Sequence, residues 1–422
     1  MRVERRPAKY TSKRRRHESI TRREMHQLSW YTNSAALFLI MSVTSQSERD
    51  QFLFSVLFLC CYMKRENLRW VDHFPLQAVP QKLYTINSFD DNDCYRLFRF
   101  RKGQLRKLFT GLGVYNLPEW VVIDESSRNL YHREMAFLVL LFRYATAGTF
   151  FKMSLDGWGD ESVVCRAFNF ASYYLHEQRG HLVRNDLRRA SARFPEFNNA
   201  IRRLVMNKIG NDQPLPRDAV CMALLMDGTR RDIAEPVDID IEASSYCGYS
   251  GTHCVGYLSL VDPTGICCYT AGPLPGRDPD HVYVRDCGVN GDLCNAQLGQ
   301  PIQYWAYGDR LFNDDSHIRA APRSSRWYVV PAALQEEHRP LRSVRCAVEI
   351  FCGMIIVLWK FADYNDAAKV ILCPVGRHYL NLVLLTNCYV ALNGSDIAQM
   401  FDLSPPTLQE YLSFEWNDDI NR

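Results

Sequence analysis

The chain has 422 residues, 47% of them hydrophobic and 23% charged, with a formal net charge of +3. That composition excludes a disordered or collagen-like chain, and the length exceeds what one small core needs. The near-neutral total conceals an asymmetry, because positive charge is concentrated at the N-terminus.

Residues 1–30 begin MRVERRPAKYTSKRRRHESITRRE, where Arg and Lys far outnumber acids and apolar residues are sparse. Such a segment is expected to be a disordered basic tail. It is either a solvated extension or an element for nuclear import or phosphate contact; the second reading predicts a nuclear protein. Glu4, Glu18 and Glu24 count against a mitochondrial presequence. In the segment 31–90, the apolar runs AALFLIM and FLFSVLFLCCYM are separated by SVTSQSERDQ. Neither reaches the roughly 20 residues that cross a bilayer, so both read as buried helices. The 15 cysteines contain no Cys-x-x-Cys pair, and their odd number suits buried thiols in a reducing compartment.

Residues 91–213 read as mainly helical. In YRLFRFRKGQLRKLFTGLGV (95–114), Leu97, Phe98, Leu105, Leu108 and Phe109 recur at near-helical spacing. This predicts an amphipathic helix whose basic face carries Arg99, Arg101, Lys102, Arg106 and Lys107, candidates for contacts to a DNA backbone. From His132 the pattern is helix, glycine-containing break, helix, with GDES capping a helix just before Val163. The pair is either an ordinary helical hairpin or a helix-turn-helix whose second member begins near Ser162.

From 214 to 400 the texture changes to strands. VCMALLM is a continuous apolar run, as expected for a strand covered on both faces, and it ends on Asp227. CVGYLSLVD and GICCYTAG flank DPTG, a type I turn signal, and predict a hairpin. IQYWAYGD reads as another strand ending on an acid, Asp309. PVDIDIE alternates Val237, Ile239 and Ile241 with Asp238, Asp240 and Glu242, the pattern of an edge strand. In LRSVRCAVEIFCGMIIVLWK, Val344, Val348, Phe351, Ile355, Leu358 and Trp359 form one helical stripe, and Arg345 and Glu349 share a neighbouring edge. Residues 401–422 read as a C-terminal tail.

Asp227, Asp309 and Glu349 thus lie on two strand ends and one helix edge. Carboxylates gathered in a site repel unless a cation compensates, and hard oxygen donors suit Mg²⁺. Two such ions can stabilise both the attacking and the leaving oxygen in phosphoryl transfer. By spacing alone, Asp309 is equally well a turn residue and Glu349 a surface acid paired with Arg345.

MDGT with Pro236 following, SGTHCVGYLSLVDPTG, PLPGRDPD, AYGD and SVRCAVEIFCGM occur in the order found in Harbinger (PIF-type) DDE transposases, which the chain resembles over residues 95–395. LTNCYVALN is similar to that family's closing helix. The resemblance implies an α/β, RNase H-like mixed sheet with flanking helices over 214–400, preceded by the mainly helical region. It places the metal-binding triad on Asp227, Asp309 and Glu349, holding Mg²⁺ or Mn²⁺, two ions in all. It implies cutting of double-stranded DNA at element ends and joining of the freed 3′ hydroxyl to target DNA, without a covalent protein intermediate. A Myb-like accessory DNA-binding protein and a homo-oligomer are the implied partners. Asp280 matches a recurrent family acid, and His253 and Arg345 are candidates for positions close to the site.

Two departures stand out: Phe312 occupies the place of a usual Tyr, and Ile356 that of a frequent Lys. They leave open a domesticated DNA-binding or assembly protein without turnover, and a different nuclease of the same fold.

Overall fold

The computed structural model describes residues 82–124, 129–210, 213–324, 328–363, 368–370 and 373–413. The basic tail, both apolar runs of the following segment and the last residues of the C-terminal segment lie outside the described residues. All described residues belong to the compact unit Gln77–Arg422.

The unit begins with helices α1 (Asp91–Phe98) and α2 (Lys102–Gly111). The amphipathic stripe is as expected, with Phe98, Leu105, Leu108 and Phe109 fully buried. The single helix is not. Arg99 adopts a left-handed conformation at φ 68°, and its guanidinium donates to the carbonyl oxygens of Leu358 and Ala145, each at 2.8 Å. These two distant carbonyls hold the chain in a break that local propensity does not favour.

A two-stranded hairpin follows, β1 (Trp120–Asp124) against β2 (Asn129–His132), which sequence patterning did not suggest. Helices α3 (Arg133–Thr146) and α4 (Glu161–Arg179) flank a break at Ala147–Thr149 and a short helix, Phe150–Leu155. Asp160 occupies the N-cap position of α4, where GDES suggested it, but its side chain makes no capping hydrogen bond. The two helices pack on each other, and α5 (Phe194–Ile209) leads to the sheet.

The sheet comprises β3 (Met222–Asp232), β4 (Tyr246–Cys247), β5 (Thr252–Val261), β6 (Cys267–Pro275), β7 (Trp305–Gly308) and β8 (Ile318–Ala320). β6, β5 and β3 form an antiparallel meander, and β7 and β8 extend it in parallel from β3. The result is a mixed α/β sheet with flanking helices, consistent with an RNase H-like fold. In the predicted hairpin turn, Asp262 accepts hydrogen bonds from the Thr264 amide and hydroxyl and from the Ile266 amide, and Gly265 supplies φ +85°.

β3 is covered on both faces, as its apolar run requires. Leu225 packs with Leu341, Val344 and Val348 of helix α8 (Ala332–Leu358) and with α9 (Val375–Asn393). Leu224 and Met226 face the other way, toward Phe194, Tyr283 and Leu293, the last two from α6 (Asp280–Cys287) and α7 (Val289–Ala296). Helical and sheet regions therefore share one hydrophobic core, to which Trp359 and Leu385 also belong.

Two other expectations are corrected. PVDIDIE is not an edge strand: Ile239–Ser245 is a helix, because Asp238 accepts from the amides of Asp240 and Ile241 and caps it. Residues 408–412 are not a tail but a helix with Leu408, Tyr411 and Leu412 buried, and the Tyr411 hydroxyl bonds to Asn387 at 2.8 Å. Among the described residues no helix is long and apolar enough to cross a membrane.

Candidate active site

Asp227 is not at the end of its strand, which runs on to Asp232. β5 accompanies β3 from Leu225 to Asp232, whereas β7 pairs only as far as Leu225, opposite Tyr307. Asp227 therefore sits where β3 has lost its parallel neighbour, inside the strand yet beside an opening in the sheet. Asp309 lies two residues beyond Tyr307, as Asp227 lies two beyond Leu225. The equal offset from the last parallel pair brings the two acids to a similar level, and Asp309 acts as a neighbouring charge on Asp227 and Arg345, as it does on Asp280.

The face of β3 that carries Asp227 is the one covered by α8. Arg345 and Glu349, one turn apart on the helix, complete the group: the Arg345 Nη1 lies 3.2 Å from Asp227 Oδ2, and its Nη2 donates to Glu349 Oε1. Leu311 N donates to Asp309 Oδ1 at 2.7 Å, which fixes the carboxylate just after its strand. Access is graded, with the side chain of Asp227 19% exposed and that of Glu349 50% exposed. Metal access would be through the Glu349 side.

The electrostatics report the crowding. Burial pushes the Asp227 carboxyl up to about 6; Arg345 pulls it down, and Asp309, Glu349 and Asp280 push it up again. Burial opposes the charge on the Arg345 guanidinium, but Asp227 and Glu349 outweigh it and its pKa rises. One cation thus faces three carboxylates. Hard oxygen donors in charge excess are what a divalent metal ion requires, so the residues fit Mg²⁺ or Mn²⁺.

The remaining candidates separate. Asp280 is on the opposite side of β3: its carboxylate accepts from Arg230 at 3.0 Å and lies where a Cβ on Gly228 would sit, 2.8 Å from Asp280 Cγ. Residues 228 and 230 alternate with 227, so Asp280 is sensed by Asp227 as charge but does not share its face. His253, at the start of β5, groups with Glu235 and Glu242 rather than with the triad. Of the basic residues, Arg99 is turned inward, Arg101 pairs with Asp91, Lys102 donates to the Phe89 carbonyl and Arg106 to the Asn87 side chain. Lys107 is exposed.

Asp314 and Asp315, close to Asp309 in sequence, are occupied locally. They accept from the amides of Ala320 and Ser316, respectively.

Two contributors were missed by sequence reasoning. Arg231 shares the alternation of Asp227 and lies over the Tyr379 ring at 5.5 Å, with Cys352 O 3.5 Å from its guanidinium. Period-two spacing from Asp227 could have found it. The Tyr307 hydroxyl bonds to His338 at 3.0 Å, tying β7 to α8 just before Asp309, and no sequence pattern signals that pair.

Residues 226–374, about a third of the chain, match the family model described as DDE superfamily endonuclease. All three acids fall within that span. No curated protein and no solved structure matches the chain. The match supports a transposase-like nuclease domain acting on DNA with a divalent metal.

Proposed function

We propose that the protein is a DNA transposase of Harbinger type, a metal-dependent endonuclease that cuts element ends and joins the 3′ hydroxyls to target DNA. The observation that carries this reading is the grouping of Asp227, Asp309 and Glu349 as neighbouring charges at an RNase H-like sheet, with Arg345 between two of them. Asp227, Asp309 and Glu349 would hold the ions, which supply charge stabilisation to the oxygens of an in-line phosphoryl transfer. The chain's own residues prepare the place. β3 and the backbone amide of Leu311 fix two carboxylates, and the rigid helix α8 presents the third. Arg345 neutralises part of their repulsion before loading.

Residues 1–30 and the exposed Lys107 are assigned to DNA backbone contact, and the tail to nuclear import. A Myb-like accessory protein and self-association complete the reading. Ile356, half-buried on α8 where a Lys is frequent in the Harbinger family, favours a second reading: a domesticated DNA-binding or assembly protein without turnover. Incubation of the full chain with Mg²⁺ or Mn²⁺ and duplexes bearing inverted-repeat ends separates the two. Metal-dependent nicks with free 3′ hydroxyls support the transposase, whereas binding without nicks supports the domesticated protein.

A further inference from the structure

The loop joining β3 to β5 carries a second group of donors, remote in register from the three acids. Glu235 follows the end of β3, Glu242 lies on the short helix Ile239–Ser245, and His253 is the second residue of β5. One carboxylate oxygen of each Glu and one ring nitrogen of His253 all lie within 4.8 Å of one another. Three separate backbone segments therefore converge on one point. Asp232, the last residue of β3, is five residues beyond Asp227, or about 17 Å along an extended strand.

The surroundings prepare the imidazole. The Ser245 hydroxyl donates to the Glu242 carbonyl at 3.1 Å, which uses its only hydrogen. Its contact with His253 Nδ1 at 3.2 Å is accordingly assigned as an Nδ1–H donating to the hydroxyl oxygen. That tautomer leaves Nε2 with a lone pair, the arrangement found where an oriented histidine ligates a metal. Tyr246, paired across from His253, meets the imidazole edge-on with ring centroids 5.4 Å apart. Charge balance points the same way: among the described residues neither Glu235 nor Glu242 forms an ion pair with a Lys or Arg. Among the described residues the two carboxylates, that of Glu235 exposed, thus come together with no Lys or Arg partner.

We propose that Glu235, Glu242 and His253 bind one zinc-class divalent ion, which clips the β3–β5 connection at the tip of the strand pair that carries Asp227. One imidazole with two carboxylates suits zinc, whereas magnesium prefers oxygen donors alone and retained water. The site shares no donor with the three acids, so zinc binding can be tested without nuclease activity.

The test is zinc titration of the full chain carrying Asp227→Asn and Asp309→Asn, so that those acids do not compete. The expected result is one tightly bound zinc, with His253→Ala and Glu242→Gln each weakening it at least tenfold. Ser245→Ala keeps all three ligands and is expected to weaken binding about 10-fold or more through loss of ring orientation. Melting in EDTA checks that the variants remain folded. X-ray absorption should show nitrogen and oxygen neighbours at about 2.0–2.2 Å. Sulfur neighbours at about 2.3 Å, which Cys247 and Cys254 on the same ribbon could supply, would overturn the assignment. Unchanged zinc affinity in all three variants would overturn it as well.

Discussion

Replacing Asp227 by Asn should stabilise the protein when no metal is present. Burial and neighbouring acids raise the Asp227 carboxyl from 3.8 to about 6, even with Arg345 beside it. The folded protein therefore holds this proton more tightly than the unfolded chain does. Wild-type stability falls as pH rises between about 4 and 6, and the penalty is complete above that window. A shift of about two units corresponds to ~3 kcal/mol at most. Asn resembles the neutral acid imperfectly, so a gain of about 1–3 kcal/mol near pH 7.5 is expected, vanishing near pH 4. Differential scanning fluorimetry in EDTA at several pH values reads this directly, as a melting temperature several degrees higher in Asp227→Asn at pH 7.5. Mg²⁺ should then stabilise the wild type and not the variant, because bound metal favours the ionised carboxylate. A variant less stable than wild type at pH 7.5 without metal, or a difference independent of pH, would contradict a raised Asp227 pKa.

Arg345→Met removes the single cation between Asp227 and Glu349 and should lower stability by roughly 1–3 kcal/mol without metal, a loss that Mg²⁺ partly restores in the same melting assay. Gly228→Ala places a Cβ against the Asp280 carboxylate; denaturant unfolding should show a loss of roughly 1–3 kcal/mol. Asp238→Ala should lower the melting temperature through a lost cap of about 1 kcal/mol, whereas Asp238→Asn should not. Alanine at Arg101 and Lys107 together is expected to weaken DNA binding equally for all sequences in a fluorescence-anisotropy titration; a selective loss for one sequence would instead indicate base readout.

The parts of the fold that were legible in the sequence are those set by local pattern. The apolar run of Met222–Met226, the Asp262–Gly265 turn and the stripe from Val344 to Trp359 each announce an element because burial and turn chemistry act on neighbouring residues. The break at Arg99 was not legible, since it depends on carbonyls of Leu358 and Ala145 that are distant in the chain. At Val237–Glu242 the alternation imitated a strand, and only the capping bond of Asp238 shows why a helix forms instead. For the site, spacing offered Asp227, Asp309 and Glu349 among many acids, and resemblance selected them. Arg345 was legible as a helical neighbour of Glu349 but not as a partner of Asp227, a contact made across two elements. The grouping of His253 with Glu235 and Glu242 required the helix and the β4–β5 turn to be in place.

The proposed metal-dependent cutting site consists of Asp227, Asp309 and Glu349 and excludes the neighbouring acids. Cleavage of end-bearing duplex DNA by the wild type and by Asp227→Asn, Asp309→Asn, Glu349→Gln, Asp314→Asn, Asp315→Asn and Asp238→Asn tests it most directly. Mg²⁺- or Mn²⁺-dependent nicks should vanish in the first three variants and persist in the last three, all six remaining folded. Cleavage that survives Asp309→Asn but is lost in Asp314→Asn or Asp315→Asn would contradict this assignment, as would a folded wild type that neither cuts nor gains stability from metal.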